Sequence, residues 1–213
     1  MPSETDIANL ALQHLGESRI NSIEDTGDKV SRTCRVNFAQ ARDEALQCAR
    51  WGCAKTQAAL SKLATAPLYK WRAAYQLPAD FIRLIEIEGE DAWTPKEYFD
   101  RQGNKLLIGR GCDEDEDMPD SINIEYIRRE EDTTIYDPLL VECMAMLLAM
   151  KCARALTGSD SKQAELRREF EQVVLPRAMT LNAQPINSGA NHPVRQIIAK
   201  SFMQRARRTG TFR

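Results

Sequence analysis

Two histidines, six cysteines and two opposed charge runs are the side chains here whose types could do chemistry. His14 lies in helical sequence and His192 in a linker. No short motif joins either to a serine or cysteine nucleophile, although a triad can draw its members from distant positions. Cys34, Cys48, Cys53, Cys112, Cys143 and Cys152 show no CxxC or Cys/His ligand spacing. Most of them sit in apolar helical stretches, where a free thiol behaves as a small hydrophobe. No glycine-rich phosphate loop occurs; Arg-Gln-Gly-Asn-Lys at 101–105 reads as a hairpin tip.

The charge runs are more informative. Asp113, Glu114, Asp115, Glu116 and Asp117 are consecutive carboxylates. They could attract Mg²⁺ or Ca²⁺, but a metal loop spaces its ligands so that they converge, and this run lacks both that alternation and a turn glycine. It is expected to be a solvated or electrostatic surface, facing a channel or a basic partner. The stretch 192–213 carries Arg195, Lys200, Arg205, Arg207, Arg208 and Arg213 with no acid. Such a segment can contact phosphates. Phe202, Met203 and Phe212 add apolar anchors that favour docking onto a protein. No catalytic, cofactor-binding or metal-ligating residue is assigned.

The elements that must carry these residues follow from composition and periodicity. A chain of 213 residues, 43% hydrophobic and 28% charged with net charge -2, can bury one sizeable core and is not a polyanion binder as a whole. The polar, acidic start predicts no secretory signal, and the cysteine usage points to a reducing cytoplasm. The organising stretch is 137–158. Asp137 is placed to cap, Pro138 fits the first helical position, and Gly158 suits a left-handed stop. Between them only Glu142, Lys151, Arg154 and Thr157 are polar, so the helix should be buried on almost every side. Its uncharged part, Cys143 to Met150, is far short of the roughly 20 residues of a membrane span.

A first helix should start after Ser3, with Asp6 completing a capping box, and end at Gly16. Ile20 and Ile23 should anchor the following loop. A second, long helix from near Thr26 or Asp28 carries Val30, Cys34, Phe38, Ala41, Ala45 and Cys48 at helical spacing and reaches Trp51. Its other face, with Arg32, Arg35, Gln40, Arg42 and Asp43, should be polar. Strands are expected at 69–73, where Tyr69, Trp71 and Ala73 alternate with polar residues, at 82–87, around 97–108 as a hairpin, and at 122–127. Leu77-Pro78 should turn. Ser159 to Ser161 should cap a helix with Ala164, Leu166, Phe170, Val173 and Val174 inside, and Pro176 should bend or restart it. Residues 182–193 have linker composition.

Four segments in this order resemble the tail tubular protein A family, the head-to-tail adaptor of short-tailed bacteriophages. They are the helix from Ile7 through Leu15-Gly16-Glu17 to Ile20 and Ile23, the long helix closing on Ala49-Arg50-Trp51-Gly52, the segment Tyr75-Gln-Leu-Pro-Ala-Asp-Phe-Ile-Arg83, and Ile124-Glu-Tyr-Ile127 followed by Tyr136-Asp-Pro-Leu-Leu-Val-Glu142 and the Ala-rich helix to Gly158. The resemblance spans about 5–182 and is most specific at Tyr75 to Arg83.

The fold expected is α+β, mainly α. A helical bundle from 1–65 and 135–182 carries an inserted antiparallel β module, 66–134, and a C-terminal linker and basic arm, 183–213. The resemblance implies a structural virion protein without catalysis or cofactor. It implies a twelve-subunit ring beneath the portal protein, a platform for the next tail or nozzle protein, through which genome DNA passes without sequence-specific binding. It places the chain in the virion neck, after assembly in the host cytoplasm. Phe202, Arg205, Arg207 and Arg208 are the expected portal-docking residues, and no membrane contact is expected. The alternatives are another phage neck or head-completion protein, a DNA-binding regulator and a metal-dependent enzyme using the acidic run. The eleven residues between helices one and two are too many for a helix-turn-helix.

Overall fold

Ser3 opens helix α1 (Glu4–Leu15). Its hydroxyl accepts from the Asp6 amide at 3.1 Å, while the Asp6 carboxylate accepts from the Ser3 amide at 2.9 Å, the reciprocal box expected. Gly16 ends the helix with φ 75°, which glycine adopts without strain. The computed structural model describes residues 2–87, 99–109 and 118–183, and residues up to Asn182 belong to one compact unit. The loop after α1 is clamped to it. The Asn9 side chain exchanges hydrogen bonds with the Ile20 main chain at 2.9 and 3.1 Å, and Thr5 accepts from the Ile23 amide. Both isoleucines are buried.

Helix α2 (Lys29–Cys48) is capped by Asp28. Cys34, Phe38, Ala41 and Ala45 are buried as a stripe, with Val30 and Cys48 packed at its edges. The helix stops at Cys48, short of Trp51. Trp51 is nonetheless fully buried, because its indole N–H donates back to the Ala45 carbonyl at 2.8 Å. A 3₁₀ turn, Gly52–Ala54, leads into the strands.

Helix α3 (Pro138–Thr157) is the central helix. Every residue from Cys143 to Met150 is buried, and α3 packs against both α1 and α2. Gly158 at φ 67° closes it. Asp137 stands at the cap position, but its side chain makes no capping bond. Ser159 caps helix α4 (Asp160–Glu169), which continues through a π turn, Phe170–Val174, into α5 (Leu175–Ala183). The wider turn explains how Pro176 sits inside a continuous helix: a proline ring collides with the carbonyl four residues back in regular α geometry. Leu166, Phe170 and Val174 are buried as expected, whereas Ala164 is exposed and Val173 is 58% exposed.

Six strands form two three-stranded antiparallel sheets among the described residues. One has the order β1 (Lys55–Ser61), β6 (Ser121–Arg128), β3 (Phe81–Ile87), and the other β2 (Ala73–Gln76), β5 (Lys105–Ile108), β4 (Phe99–Gln102). β4 and β5 are the expected hairpin, turning at Gly103 with φ 61°. The positive φ at the first turn position is the geometry of a type II′ turn. Two expectations are corrected. The β module begins at Lys55, inside the span assigned to the first part of the bundle. Strand β2 starts only at Ala73; Tyr69 to Arg72 belong to a loop.

The fold is thus α+β with helix predominating, and its core lies in two clusters. One fills the bundle and extends to Ile82, Ile85 and Ile127 on the β1-β6-β3 sheet. The other lies between the sheets, around Leu60, Tyr75, Leu77, Phe81, Ile87, Ile124 and Tyr126. Strand β3 serves both through two register irregularities, between Phe81 and Arg83 and between Leu84 and Glu86. A bulge inserts a residue and turns the next side chain to the other face.

Candidate functional site

The segment Tyr75 to Arg83, where the family resemblance is most specific, is an architectural joint. Tyr75 is fully buried between the sheets, and its hydroxyl donates to the Pro119 carbonyl at 2.7 Å. Pro78 starts a turn closed by the Phe81 amide donating to the Pro78 carbonyl. Asp80 in that turn accepts twice: its carboxylate from the Tyr126 hydroxyl at 3.1 Å, and its carbonyl from the Arg129 amide at 2.6 Å. Phe81 stacks on Tyr126 with centroids 5.5 Å apart, and the Arg101 guanidinium lies 5.0 Å from the Phe81 ring. Arg83 donates to the Gln47 carbonyl at the end of α2 at 3.1 Å.

A charged knot lies beside that joint. Arg42, read from sequence as part of an exposed polar face, is 9% exposed. Its guanidinium pairs with Asp43 at 3.1 Å and Glu131 at 3.2 Å, and Arg129 reaches Asp43 at 3.0 Å. Arg128 pairs with Glu130, which is buried, and the Tyr136 hydroxyl donates to the Glu130 carbonyl. These bonds span α2 and the exit from β6. Arg32, Arg35 and Gln40 on the same helix are exposed as expected.

Two outward features remain. The first is a groove of about 520 Å³ on the β1-β6-β3 sheet, lined by Gln57, Ala58, Ala59, Glu86, Asn123, Ile124 and Glu125. The bundle covers only part of this face, through Ile82, Ile85 and Ile127. In the groove Glu86 and Glu125 are register partners on adjacent strands. Glu125 is balanced from the other side by Lys55 at 2.9 Å and by the Gln57 amide. Like charges directly opposite in a sheet repel. The second feature is the β1–β2 loop. Leu68 is fully exposed, Tyr69 is 74% exposed, and Lys70 has φ 68°, the positive-φ non-glycine residue among those described. The Trp71 amide donates to the Tyr69 carbonyl at 2.9 Å across Lys70, the bond of a tight γ-turn of the strained hand.

Neither feature was read from sequence. Adjacent Leu68-Tyr69 after Pro67 is a signal for a presented apolar tip, but Tyr69 was expected in a strand with Trp71 and Ala73. The adjacent apolar residues Leu84 and Ile85 break the alternation and are a signal for the bulge. The acidic residues Asp113, Glu114, Asp115, Glu116 and Asp117 and the arm residues Phe202, Arg205, Arg207 and Arg208 lie outside the described residues, as do Cys112, His192 and the linker from 184. Among the described residues no three His, Cys, Asp or Glu side chains are grouped so as to hold a metal ion, and no helix is long and apolar enough to cross a membrane. His14 is half-buried on α1.

Burial dominates the titration of Cys48, Cys53 and Cys143. It pushes Cys48 up to about 11 and Cys143 up to about 12, so both are protonated and unreactive at neutral pH. The Cys152 thiol is raised by its hydrogen bond with Cys34 and by burial, and the same bond lowers Cys34. This pair joins α2 to α3, with the Cys152 Sγ 3.7 Å from the Thr33 carbonyl.

No protein-family model matches the chain, and no curated protein matches it.

Proposed function

We propose that this chain is a structural subunit of a short-tailed phage neck, the head-to-tail adaptor that forms a ring under the portal and receives the next tail component. The observation that carries the reading is the joint at Tyr75 to Arg83. The residues that most specifically resemble the adaptor family hold the β module together, through Asp80, Phe81 and Tyr126, and tie it to the bundle through the Arg83–Gln47 bond. A resemblance concentrated on such a joint concerns how the body is built, which is what a structural part requires. An adaptor of this kind needs no catalytic group, and its DNA passes through without base recognition. Its place is the virion, after assembly in the host cytoplasm.

The test is a mass measurement of the full chain alone and mixed with purified portal protein. The expected result is a closed ring of subunits on the portal, about one adaptor per portal chain. A chain that stays monomeric and leaves the portal unbound at every concentration overturns the reading.

A further inference from the structure

The groove and the loop tip described above lie on opposite faces of the β module. Gln57, Ala59, Asn123 and Glu125 of the groove alternate along their strands with Ala58, Leu60, Ile124 and Tyr126, which pack into the cluster between the sheets, so the groove's polar side chains lie on the face of the β1-β6-β3 sheet turned away from the second sheet. The tip belongs to a loop, 65–71, that lines a cavity with Ala74, Asp100, Gln102, Lys105 and Leu107 of the second sheet. Those five are at positions between Ala73, Tyr75, Phe99, Leu106 and Ile108, which face the inter-sheet cluster, so they point outward. Ala74 and Leu107 are nonetheless buried.

The loop is pinned at its base. Lys62 bridges to Tyr75, the Leu63 amide donates to the Ala74 carbonyl at 2.8 Å, and the Arg72 amide to the Ile108 carbonyl at 3.1 Å. Lys70 Nζ lies 5.0 Å from the Tyr69 ring centroid, which sets the cation beside the apolar pair. A fully exposed leucine and a mostly exposed tyrosine held out by a strained, pinned turn form a knob. Strain of this kind persists where the surrounding structure over-determines it, and it clusters at functional positions.

We propose that the knob Leu68-Tyr69-Lys70 of one copy seats in the groove of the next copy, with Lys70 beside Glu86 and Glu125. The inference rests on the ring reading and names the contact that closes the ring. Two observations select a second copy as the occupant. Charge is complementary: the groove holds an opposed carboxylate pair with Lys55 as its near cation, and the knob brings another cation with apolar area. The two features also lie on different faces of the same body. A contact between two different faces of identical bodies is head-to-tail, repeats from copy to copy, and closes when the rotation per step divides a full turn.

The experiment measures the concentration at which the full-length chain assembles into rings, alone and on portal, by single-particle mass. Variants are Leu68→Asp, Lys70→Glu, Glu86→Lys and the double variant Lys70→Glu with Glu86→Lys; circular dichroism and thermal midpoint show that each is folded. The expected result is at least a tenfold rise in the assembling concentration for each single variant and recovery in the double one. If the wild type forms rings and all folded variants form them at the same concentration, the knob is not at the ring contact, and the adaptor reading stands without it. If the rings are unaffected but the variants no longer bind portal or the next tail protein, the knob serves that partner and the proposal is overturned. A wild type that forms no ring with or without portal overturns the adaptor reading and this contact together.

Discussion

The Tyr126 hydroxyl donates to the Asp80 carboxylate at 3.1 Å, joining the middle strand of one sheet to the turn that follows Pro78. The Arg129 amide holds the same turn through the Asp80 carbonyl. The ring of Tyr126 meanwhile stacks on Phe81 inside the inter-sheet cluster. One residue therefore fixes the turn by a polar bond and the sheets by an apolar contact.

Tyr126→Phe keeps the stack and loses the bond. A net loss of about 0.5–1.5 kcal/mol is expected, the usual worth of one intramolecular hydrogen bond. A denaturant midpoint equal to that of the wild type would show that the Asp80 turn is held by Arg129 alone.

The same tyrosine limits the fold at alkaline pH. Burial, then the Asp80 hydrogen bond and charge, push its phenol up to about 12, and burial raises Tyr75 and Tyr136 as well. In the unfolded chain these groups ionise near pH 10. The native state then holds more protons than the unfolded one, so their contribution is complete below about pH 10 and is lost as pH rises toward 12. Unfolding midpoints should fall steeply over that interval, and less so in Tyr126→Phe. A flat alkaline limb would contradict the burial of these phenols.

At acid pH the sign reverses. The Asp28 carboxylate is lowered by the amide hydrogen bond of Ser31, and Asp6 by that of Ser3. A depressed carboxylate stabilises above its unfolded pKa, and the contribution disappears as pH falls through the native value. Asp28→Asn can still cap α2 but cannot titrate, so its stability should depend less on pH below about 4 than that of the wild type. Parallel acid profiles for the two proteins would remove Asp28 from the account.

Leu147 sits mid-way along α3 and is 2% exposed. Leu147→Ala should cost about 2–5 kcal/mol, from lost transfer energy and the cavity left behind. An unchanged unfolding midpoint is the result that would sink the central-helix description.

The arm can be separated from the body. A chain ending at Asn182 retains the whole compact unit and should fold, with a cooperative unfolding transition. Under the adaptor reading it should fail to hold portal. In the full chain Phe202→Ala should speed dissociation from portal by at least about tenfold, as for a buried aromatic anchor. Replacing Arg205, Arg207 and Arg208 by alanine should slow association most at low salt. Portal binding by the shortened chain as tight as by the full one would move the contact to the bundle.

Helix α3 was legible because its determinants are local: Pro138 at the first position, Gly158 at the stop and a run between them in which only Glu142, Lys151, Arg154 and Thr157 are polar. The Ser3–Asp6 box and the Gly103 turn were legible for the same reason. Strand β1 was not, since Lys-Thr-Gln-Ala-Ala-Leu-Ser has little strand preference of its own and is extended because β6 supplies its hydrogen bonds. Nor could spacing show that Arg42 is buried, because its partners Glu131 and the neighbourhood of Arg129 lie far along the chain. Local charge marked the acidic run and the basic arm as candidates. The groove and the knob depended on tertiary structure alone: the bulges of β3 turn Glu86 toward Glu125, and only the folded loop reveals that Leu68 is fully exposed. Periodicity assigns a side chain to a face of its own element, but whether that face meets a neighbour is set by contacts between residues distant in sequence.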